Sequence, residues 1–310
     1  MFSVVIPTHN RAPILKRSLT HLLALEGISE CEIIVVNDGS TDGTEVILEE
    51  LLRSPQGYLK VFTISNGGPA RARNYGVSVA KNQRILFVDD DVFPRPGMLH
   101  SHWKALEQGY VGSQGLLLWH DEIARTPLIR YIDSRGSQFA FDQVEDPSRL
   151  GFQFVYTGNF AVEKRAFLES GGFDETLFNR NLGFSAFEDT VLGYCLVEKG
   201  ARLALTKDAV ADHLHAMDEK SFFEREYKVG YCIGVLKEKH PAIARSLGLK
   251  KKGTLVEFQS KLLEKLNTQR VVRDTLGYSF RMRLRHREAF YRGFRQFQQD
   301  TAKHGLPGTQ

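Results

Sequence analysis

Through the first hundred residues, short β-branched and apolar runs alternate with stretches whose apolar positions recur every three or four residues. The runs Ser3 to Ile6, Glu32 to Val36, Leu59 to Ile64 and Arg84 to Val88 predict strands. Between them, Ile14, Leu15, Leu19, Leu22 and Leu23 share one helical face, as do Val46, Ile47, Leu51 and Leu52, with Thr41 or Asp42 placed to cap the second helix. Alternation of this kind predicts parallel strands joined by crossover helices, an α/β class with ligands held beyond the carboxyl ends of the strands.

Further along, the pattern predicts a helix over Pro94 to Gln108 and an irregular loop around Trp119 to Arg149. A strand follows at Phe154 to Val162, then a short helix at Glu163 to Ser170 stopped by Gly171 and Gly172. Glu188 to Lys199 reads as a helix ended by Gly200, and Arg202 to Leu205 as a strand. From Ser221 the chain is helical, with breaks near Pro241 and Gly253.

Composition adds limits. With 310 residues and 42% hydrophobic content the chain can bury a full core. Its 41 Lys and Arg against 37 Asp and Glu give no case for nucleic acid as a partner. Basic residues gather after Lys237, at Lys250, Lys251 and Lys252 and again at Arg281, Arg283, Arg285 and Arg287, where they interleave with Leu and Phe. An amphipathic helical region with a solvated face explains that pattern; peripheral docking to an anionic membrane through these helices is the sharper alternative. Three scattered cysteines, Cys31, Cys195 and Cys232, point to buried thiols in a reducing compartment. Met1 runs straight into the first strand, and no apolar stretch reaches spanning length, so a cytoplasmic protein is expected, at most peripheral on the inner membrane face.

The candidate chemistry lies where the strands end. Strand one gives way to Pro7, Thr8, His9, Asn10 and Arg11, strand two to Asn37, Asp38, Gly39 and Ser40, and strand four to Asp89, Asp90 and Asp91. Three adjacent carboxylates repel, and a hard divalent ion, Mg²⁺ or Mn²⁺, suits such oxygen ligands; a solvated acidic turn is the plain alternative. Asp38 could meet a base or a ribose, although Asn-Asp-Gly-Ser is also ordinary turn chemistry. Gly67 and Gly68 precede a helix bearing Arg71, Arg73 and Asn74, groups suited to a phosphate or a base carbonyl. Glu188 and Asp189 open a helix, and Asp189 can take a proton from a hydroxyl while Glu188 orients it. His213 and His215 stand one residue apart, able to complete a metal site.

Taken in order, SVVIPTHNR, VVNDGSTDGT, GGPARARNYG, FVDDDV, GGFDE and FEDTVLGY resemble the family-2 glycosyltransferases of the GT-A fold, over about the first 215 residues. The resemblance implies a GT-A catalytic domain over 1–218, with a nucleotide-sugar half over about 1–110 and an acceptor half over about 111–218, followed by a helical C-terminal region over 219–310. It implies inverting, non-processive transfer of a sugar from a nucleotide diphosphate donor, UDP first among the nucleotides, to a glycan or lipid-linked acceptor. Pro7, Thr8, Asn10, Arg11, Asp38, Gly68, Arg71, Asn74, Asp89 and Asp90 would line the donor pocket. Asp91 and His213 would hold the metal, with His215 a near rival, and Asp189 would be the base beside Glu188. Two departures stand out. Val191 and Cys195 replace the acidic residue and arginine that follow the Glu-Asp pair in many relatives. The Gln-x-x-Arg-Trp motif of processive synthases is absent, since Trp103 and Trp119 both precede the expected base.

Other classes fit less well. A sugar nucleotidyltransferase would carry a Gly-rich phosphate loop with Lys or Arg after strand one, a dehydrogenase would open the first crossover with G-x-G-x-x-G, and a non-catalytic nucleotide-sugar-binding module would not need Asp91, Glu188, Asp189 and His213 together.

Overall fold

The structure is a computed structural model that describes residues 1–53, 58–135, 139–249 and 277–306. The basic run Lys250 to Lys252 and the expected break at Gly253 lie outside those residues. The chain divides into two compact units, one of Met1–Ile123, Phe139–Glu175 and Glu188–His215, the other of Ala124–Gln138, Thr176–Phe187 and Ala216–Gln310.

The first unit is built on an eight-stranded sheet of order β3-β2-β1-β4-β7-β6-β8-β5. β1 (Ser3–Thr8), β2 (Glu32–Asp38), β3 (Leu59–Ile64) and β4 (Arg84–Val88) are parallel. Every residue of β1 and β2 is buried, as expected of central strands covered on both faces. Successive side chains divide between two cores. Val4, Ile6, Ile33, Val35, Leu86 and Val88 pack with Leu15, Leu19 and Leu22 of α1 (Ala12–Leu23). Val5, Ile34, Val36, Ile85 and Phe87 pack on the opposite side with Ala70 and Val77 of α3 (Pro69–Val79), Phe167 of α6 (Lys164–Glu169) and Leu192 and Leu196 of α7 (Glu188–Glu198). The remaining crossover helices are α2 (Thr44–Leu52) and α4 (Met98–Glu107). Asp42 accepts from the Thr44 N–H at 2.9 Å and from its hydroxyl, so it serves the first turn of α2 from just outside it.

The other half of the sheet departs from the sequence expectation. β7 (Asn159–Glu163) begins five residues later than the predicted strand and runs antiparallel to β4. β6 (Gly112–Trp119) falls in a stretch where no strand was predicted, and β5 (Val92–Pro94) follows the aspartates directly. The expected short strand at Arg202 to Leu205 is the start of β8 (Leu203–His213), eleven residues long and paired with both β6 and β5. Its register breaks at Gly115/Leu116, a bulge that lets one strand deliver residues both to the core and to the site. Asn159 fills the bulge by donating from Nδ2 to the Leu116 and Ala209 carbonyls, and a side chain at Gly115 would collide with both Asn159 and Ala209.

With Asn159 thus oriented, its Oδ1 must accept from His102 Nε2 at 2.8 Å, which leaves His102 Nδ1 to accept from the Ser113 hydroxyl at 2.8 Å. His102 is therefore held neutral, and burial lowers its pKa to about 4 despite the Asn159 contact. Unfolding restores an ordinary value near 6.5, so the unfolded chain takes up a proton between the two. Stability is full above pH 6.5 and falls as pH drops toward 4, by at most about 3 kcal/mol at about 1.4 kcal/mol per tenfold. Urea midpoints at pH 7 and pH 5 are expected to differ more for the native chain than for His102→Gln; equal losses would rule this origin out.

The second unit contains α5 (Pro127–Arg135), α8 (Glu219–Lys239), α9 (Pro241–Ser246) and α10 (Tyr278–His304). α5 lies in the stretch read as an irregular loop. Asp218 caps α8 by accepting from the Ser221 N–H at 2.7 Å, while Ser221 Oγ accepts from the Asp218 N–H. α8 and α10 approach backbone to backbone. A side chain at Gly230 would strike the Phe290 carbonyl, and one at Gly293 the Tyr227 carbonyl. Buried Glu226 accepts from Arg225 at 2.9 Å and faces His286 Nε2 at 2.6 Å, whose Nδ1 meets the Tyr131 hydroxyl at 3.1 Å. Among the described residues no helix is long and apolar enough to cross a membrane.

Candidate active site

The polar loops at the carboxyl ends of β1, β2 and β4 and at the end of β8 carry the candidate chemistry. Main-chain bonds fix the frame before any side chain acts. Val92 of β5 pairs with His213 of β8, the Leu214 N–H donates to the Asp91 carbonyl at 2.9 Å, and the Val92 N–H closes a turn onto the Asp89 carbonyl. The aspartates are thereby set beside residues 213–215, more than a hundred positions away in sequence.

Mutual repulsion among three adjacent carboxylates is offset by two arginines, one on Asp89 and one shared by Asp90 and Asp91. Asp89 accepts from Arg73 Nη2 at 2.6 Å. Asp90 accepts from the Thr8 hydroxyl at 2.7 Å and from Arg11 Nη1 at 2.9 Å. Asp91 accepts from the same Arg11 Nη1 at 2.6 Å through Oδ2, and its Oδ1 lies 3.3 Å from His213 Nε2. His215 Nδ1 is 3.3 Å from Asp91 Oδ2 and 3.1 Å from Arg11 Nη2. The two histidine rings stack within 1° of parallel. Burial, reinforced by the neighbouring Asp91 charge and opposed by Arg11, raises Asp90 to about 6. Burial acts on Asp91 as well, but the contacts of His213 and His215 and the Arg11 charge overcome it and hold Asp91 well below the usual carboxylate range. Among the described residues, Asp91, His213 and His215 form a group able to hold a metal ion, with ligand atoms within 4.8 Å of one another. One carboxylate and two imidazoles fit a divalent ion that completes its shell with phosphate oxygens and water.

Arg73 links this edge to α7. It is buried, with Nη2 on Asp89 and Nη1 3.8 Å from Glu188 Oε1, while its Nε and Nη1 find no hydrogen-bond acceptor among the described residues. Burial works against its charge, but Asp89 and Glu188 more than restore it. Asp189 accepts from the Thr190 N–H at 2.8 Å at the start of α7. Burial and the adjacent Glu188 charge push Asp189 up to about 7, where a carboxylate can gain or lose a proton near neutral pH.

A third group gathers at the ends of β1 and β2. Both Asp38 oxygens face the loop before α3: Oδ1 accepts from the Gly67 N–H at 2.9 Å, and Oδ2 from the Gly68 N–H at 2.8 Å and from Asn66 Nδ2 at 3.2 Å. Burial raises the Asp38 pKa against these two N–H groups. Asn10, at φ 53°, uses that left-handed conformation to accept from the Thr41 N–H through its side chain and to donate its own N–H to Ser40 Oγ. His9 Nδ1 meets the Asp38 carbonyl at 2.8 Å. Gly68 holds φ 90° immediately before α3, and Pro7 is buried within β1.

The predicted residues fall into three groups, with Arg71 in the first turn of α3 placed so that its charge favours ionised Asp38, and with one exception. Asn74 donates to the Phe173 carbonyl and to Glu175 and accepts from the Phe173 N–H, which commits it to holding the 173–175 loop rather than a base or phosphate. Sequence reasoning left His9 and Asn66 without a role and did not give Arg73 its place at the centre of the site. The signal for Arg73 was present: it stands at i+3 from Ala70 and i−4 from Val77, both fully buried, so it lies on the apolar face of α3, where a charge needs a carboxylate partner.

Residues 3–168 match the family model described as "Glycosyl transferase family 2". The chain is 30% identical over 244 residues to a pre-mycofactocin glycosyltransferase of Mycobacterium tuberculosis, a match covering 77% of this chain and 48% of that one. A chondroitin synthase of Escherichia coli is 24% identical over 275 residues, covering 78% and 39% respectively, so the chain spans about half the length of these relatives or less. Among solved structures, residues 1–349 of S. aureus TarS in complex with UDP-GlcNAc align with a TM-score of 0.56 at 18% identity, over 96% of this chain and 91% of that one. The mannosyltransferase PcManGT from Pyrobaculum calidifontis in complex with GDP-Man and Mn²⁺ aligns with a TM-score of 0.56 at 14% identity, over 94% and 86%. The fold is the GT-A arrangement expected from the sequence.

Proposed function

From the chain's place in glycosyl transferase family 2, to which it belongs, we propose that it transfers a sugar from a nucleotide diphosphate donor to an acceptor hydroxyl, with inversion at the anomeric carbon. The observation that carries this reading is the Arg73 bridge. It joins Asp89, the first of the aspartates beside the metal-type cluster, to Glu188 at the head of α7, and so brings a charge-neutralising edge and a proton-accepting carboxylate into one constellation.

The group at the ends of β1 and β2 suits the nucleoside. Asp38 Oδ1, which accepts only from Gly67 among these groups, keeps one lone pair for a base N–H, and Arg71, at the start of α3, supplies positive charge near the phosphates. Asp91, His213 and His215 would hold a divalent ion, Mn²⁺ or Mg²⁺, which when bound supplies Lewis-acid neutralisation of the diphosphate. Asp189 takes the proton of the acceptor hydroxyl as its oxygen bonds to the anomeric carbon; the bond from that carbon to the phosphate oxygen breaks, and the diphosphate leaves with the electron pair. Glu188, whose charge faces Arg73 at 3.8 Å, orients the helix start that carries Asp189. UDP is the first nucleotide to test, because a structural neighbour is solved with UDP-GlcNAc, and GDP the second, because another is solved with GDP-Man.

Incubation with UDP, GDP and dTDP sugars, Mn²⁺ and glycan or lipid-linked acceptors is expected to release nucleoside diphosphate for one donor, and that donor to raise the melting temperature. Tight donor binding without turnover on any acceptor would favour a binding module; pyrophosphate release from a nucleoside triphosphate and a sugar phosphate would favour nucleotidyl transfer. Arg283, Arg285 and Arg287 of α10 are exposed, with Phe280 47% exposed on the same helix, a composition that fits an anionic lipid surface holding the acceptor. Sedimentation with acidic but not neutral vesicles is the expected result, and no binding at low salt would remove that contact.

A further inference from the structure

Arg11 precedes α1, and its guanidinium meets two of the three groups in the metal-type cluster through atoms able to ligate a metal. Nη1 donates to Asp91 Oδ2 at 2.6 Å, and Nη2 lies 3.1 Å from His215 Nδ1. Arginine has donors only, so in the tautomer with Nδ1 unprotonated His215 accepts from Nη2 through a lone pair that is also able to bind a cation, and the 3.3 Å approach of that nitrogen to Asp91 Oδ2 is then not a hydrogen bond. Asp91 Oδ2 and His215 Nδ1 therefore both point at one positive charge, while Asp91 Oδ1 is left to His213. Nη1 also donates to Asp90 at 2.9 Å, which gives the arginine an anchor that does not depend on Asp91.

We propose that Arg11 is the resident counter-cation of this edge, and that it and a divalent ion exclude one another at Asp91 Oδ2 and His215 Nδ1. The inference rests on the reading of Asp91, His213 and His215 as the metal site and adds a binding order to it. Metal entry requires the guanidinium to leave Asp91 and turn on Asp90. A donor diphosphate that accepts the displaced arginine favours that turn, so metal and donor bind better together than apart, and the coupling is reciprocal. The site then holds metal weakly until a nucleotide arrives.

The test is Mn²⁺ binding alone, followed by electron paramagnetic resonance near neutral pH without nucleotide, on the native chain, Arg11→Met, Arg11→Ala and Asp91→Asn. Circular dichroism confirms which variants fold, and either arginine variant suffices. Loss of the arginine charge is expected to tighten Mn²⁺ binding at least tenfold, and Asp91→Asn to abolish it. Unchanged or weaker binding in the folded arginine variants, with binding still lost in Asp91→Asn, would overturn the proposal and leave the metal reading standing. Undiminished binding in Asp91→Asn would instead remove the metal reading itself.

Discussion

Asp91→Asn is expected to lower sugar transfer about a thousandfold, which corresponds to about 4 kcal/mol of lost transition-state stabilisation, within the several kcal/mol a Lewis-acid metal supplies. The substitution keeps size and one oxygen while removing the charge. Asp91 has the strongest claim of the three aspartates because its neighbours hold it ionised and both histidines face it, whereas burial leaves Asp90 near 6 and Asp89 faces Arg73. Asp90→Asn should cost less, since Asp90 faces Thr8 and Arg11 rather than the histidines. Initial rates at saturating Mn²⁺ and donor measure the effect. An Asp91→Asn enzyme within tenfold of native would show that the aspartate edge does not carry the diphosphate charge.

Asp189→Asn is expected to reduce kcat by about 10²- to 10⁴-fold, the usual contribution of a general base, with little change in KM for the donor. The pH profile supplies the sharper readout. Burial and Glu188 raise Asp189 to about 7, so the native rate should climb as pH rises through the neutral region and the carboxylate loses its proton. An unperturbed aspartate would place that limb near pH 4. Residual activity of the asparagine variant should lose the limb altogether. A profile in Asp189→Asn parallel to the native one, at near-native rate, would move the base elsewhere.

Much of the first unit could be read from local pattern. The predicted strands Leu59 to Ile64 and Arg84 to Val88 match β3 and β4 residue for residue, and the helix predicted to start at Glu188 does start there, because each is specified by neighbours within a few positions. β6 and most of β8 escaped because their pairing joins residues about ninety positions apart, and the bulge at Gly115 breaks the alternation that would reveal it. The site was legible as a set of residue types after strands; its wiring was not. Which carboxylate His213 and His215 would reach depends on the antiparallel contact of β5 with β8, and no spacing rule states that. Asn74 shows the same limit from the other side: its place in the PARARNYG segment suggested a ligand, but the fold brings Phe173 to it first.

The mutual seating of Gly230 and Gly293 bears on how α8 and α10 can vary. Each main chain fills the hollow left by the other's missing methyl group, so the fit resembles a key cut for one alignment. Sliding α10 by a turn would bring bulkier groups onto the hollows, and a swap to alanine at either position cannot be offset by trimming the other, already without a side chain. Laboratory evolution of this chain should therefore leave both positions untouched even as the arginines around them drift.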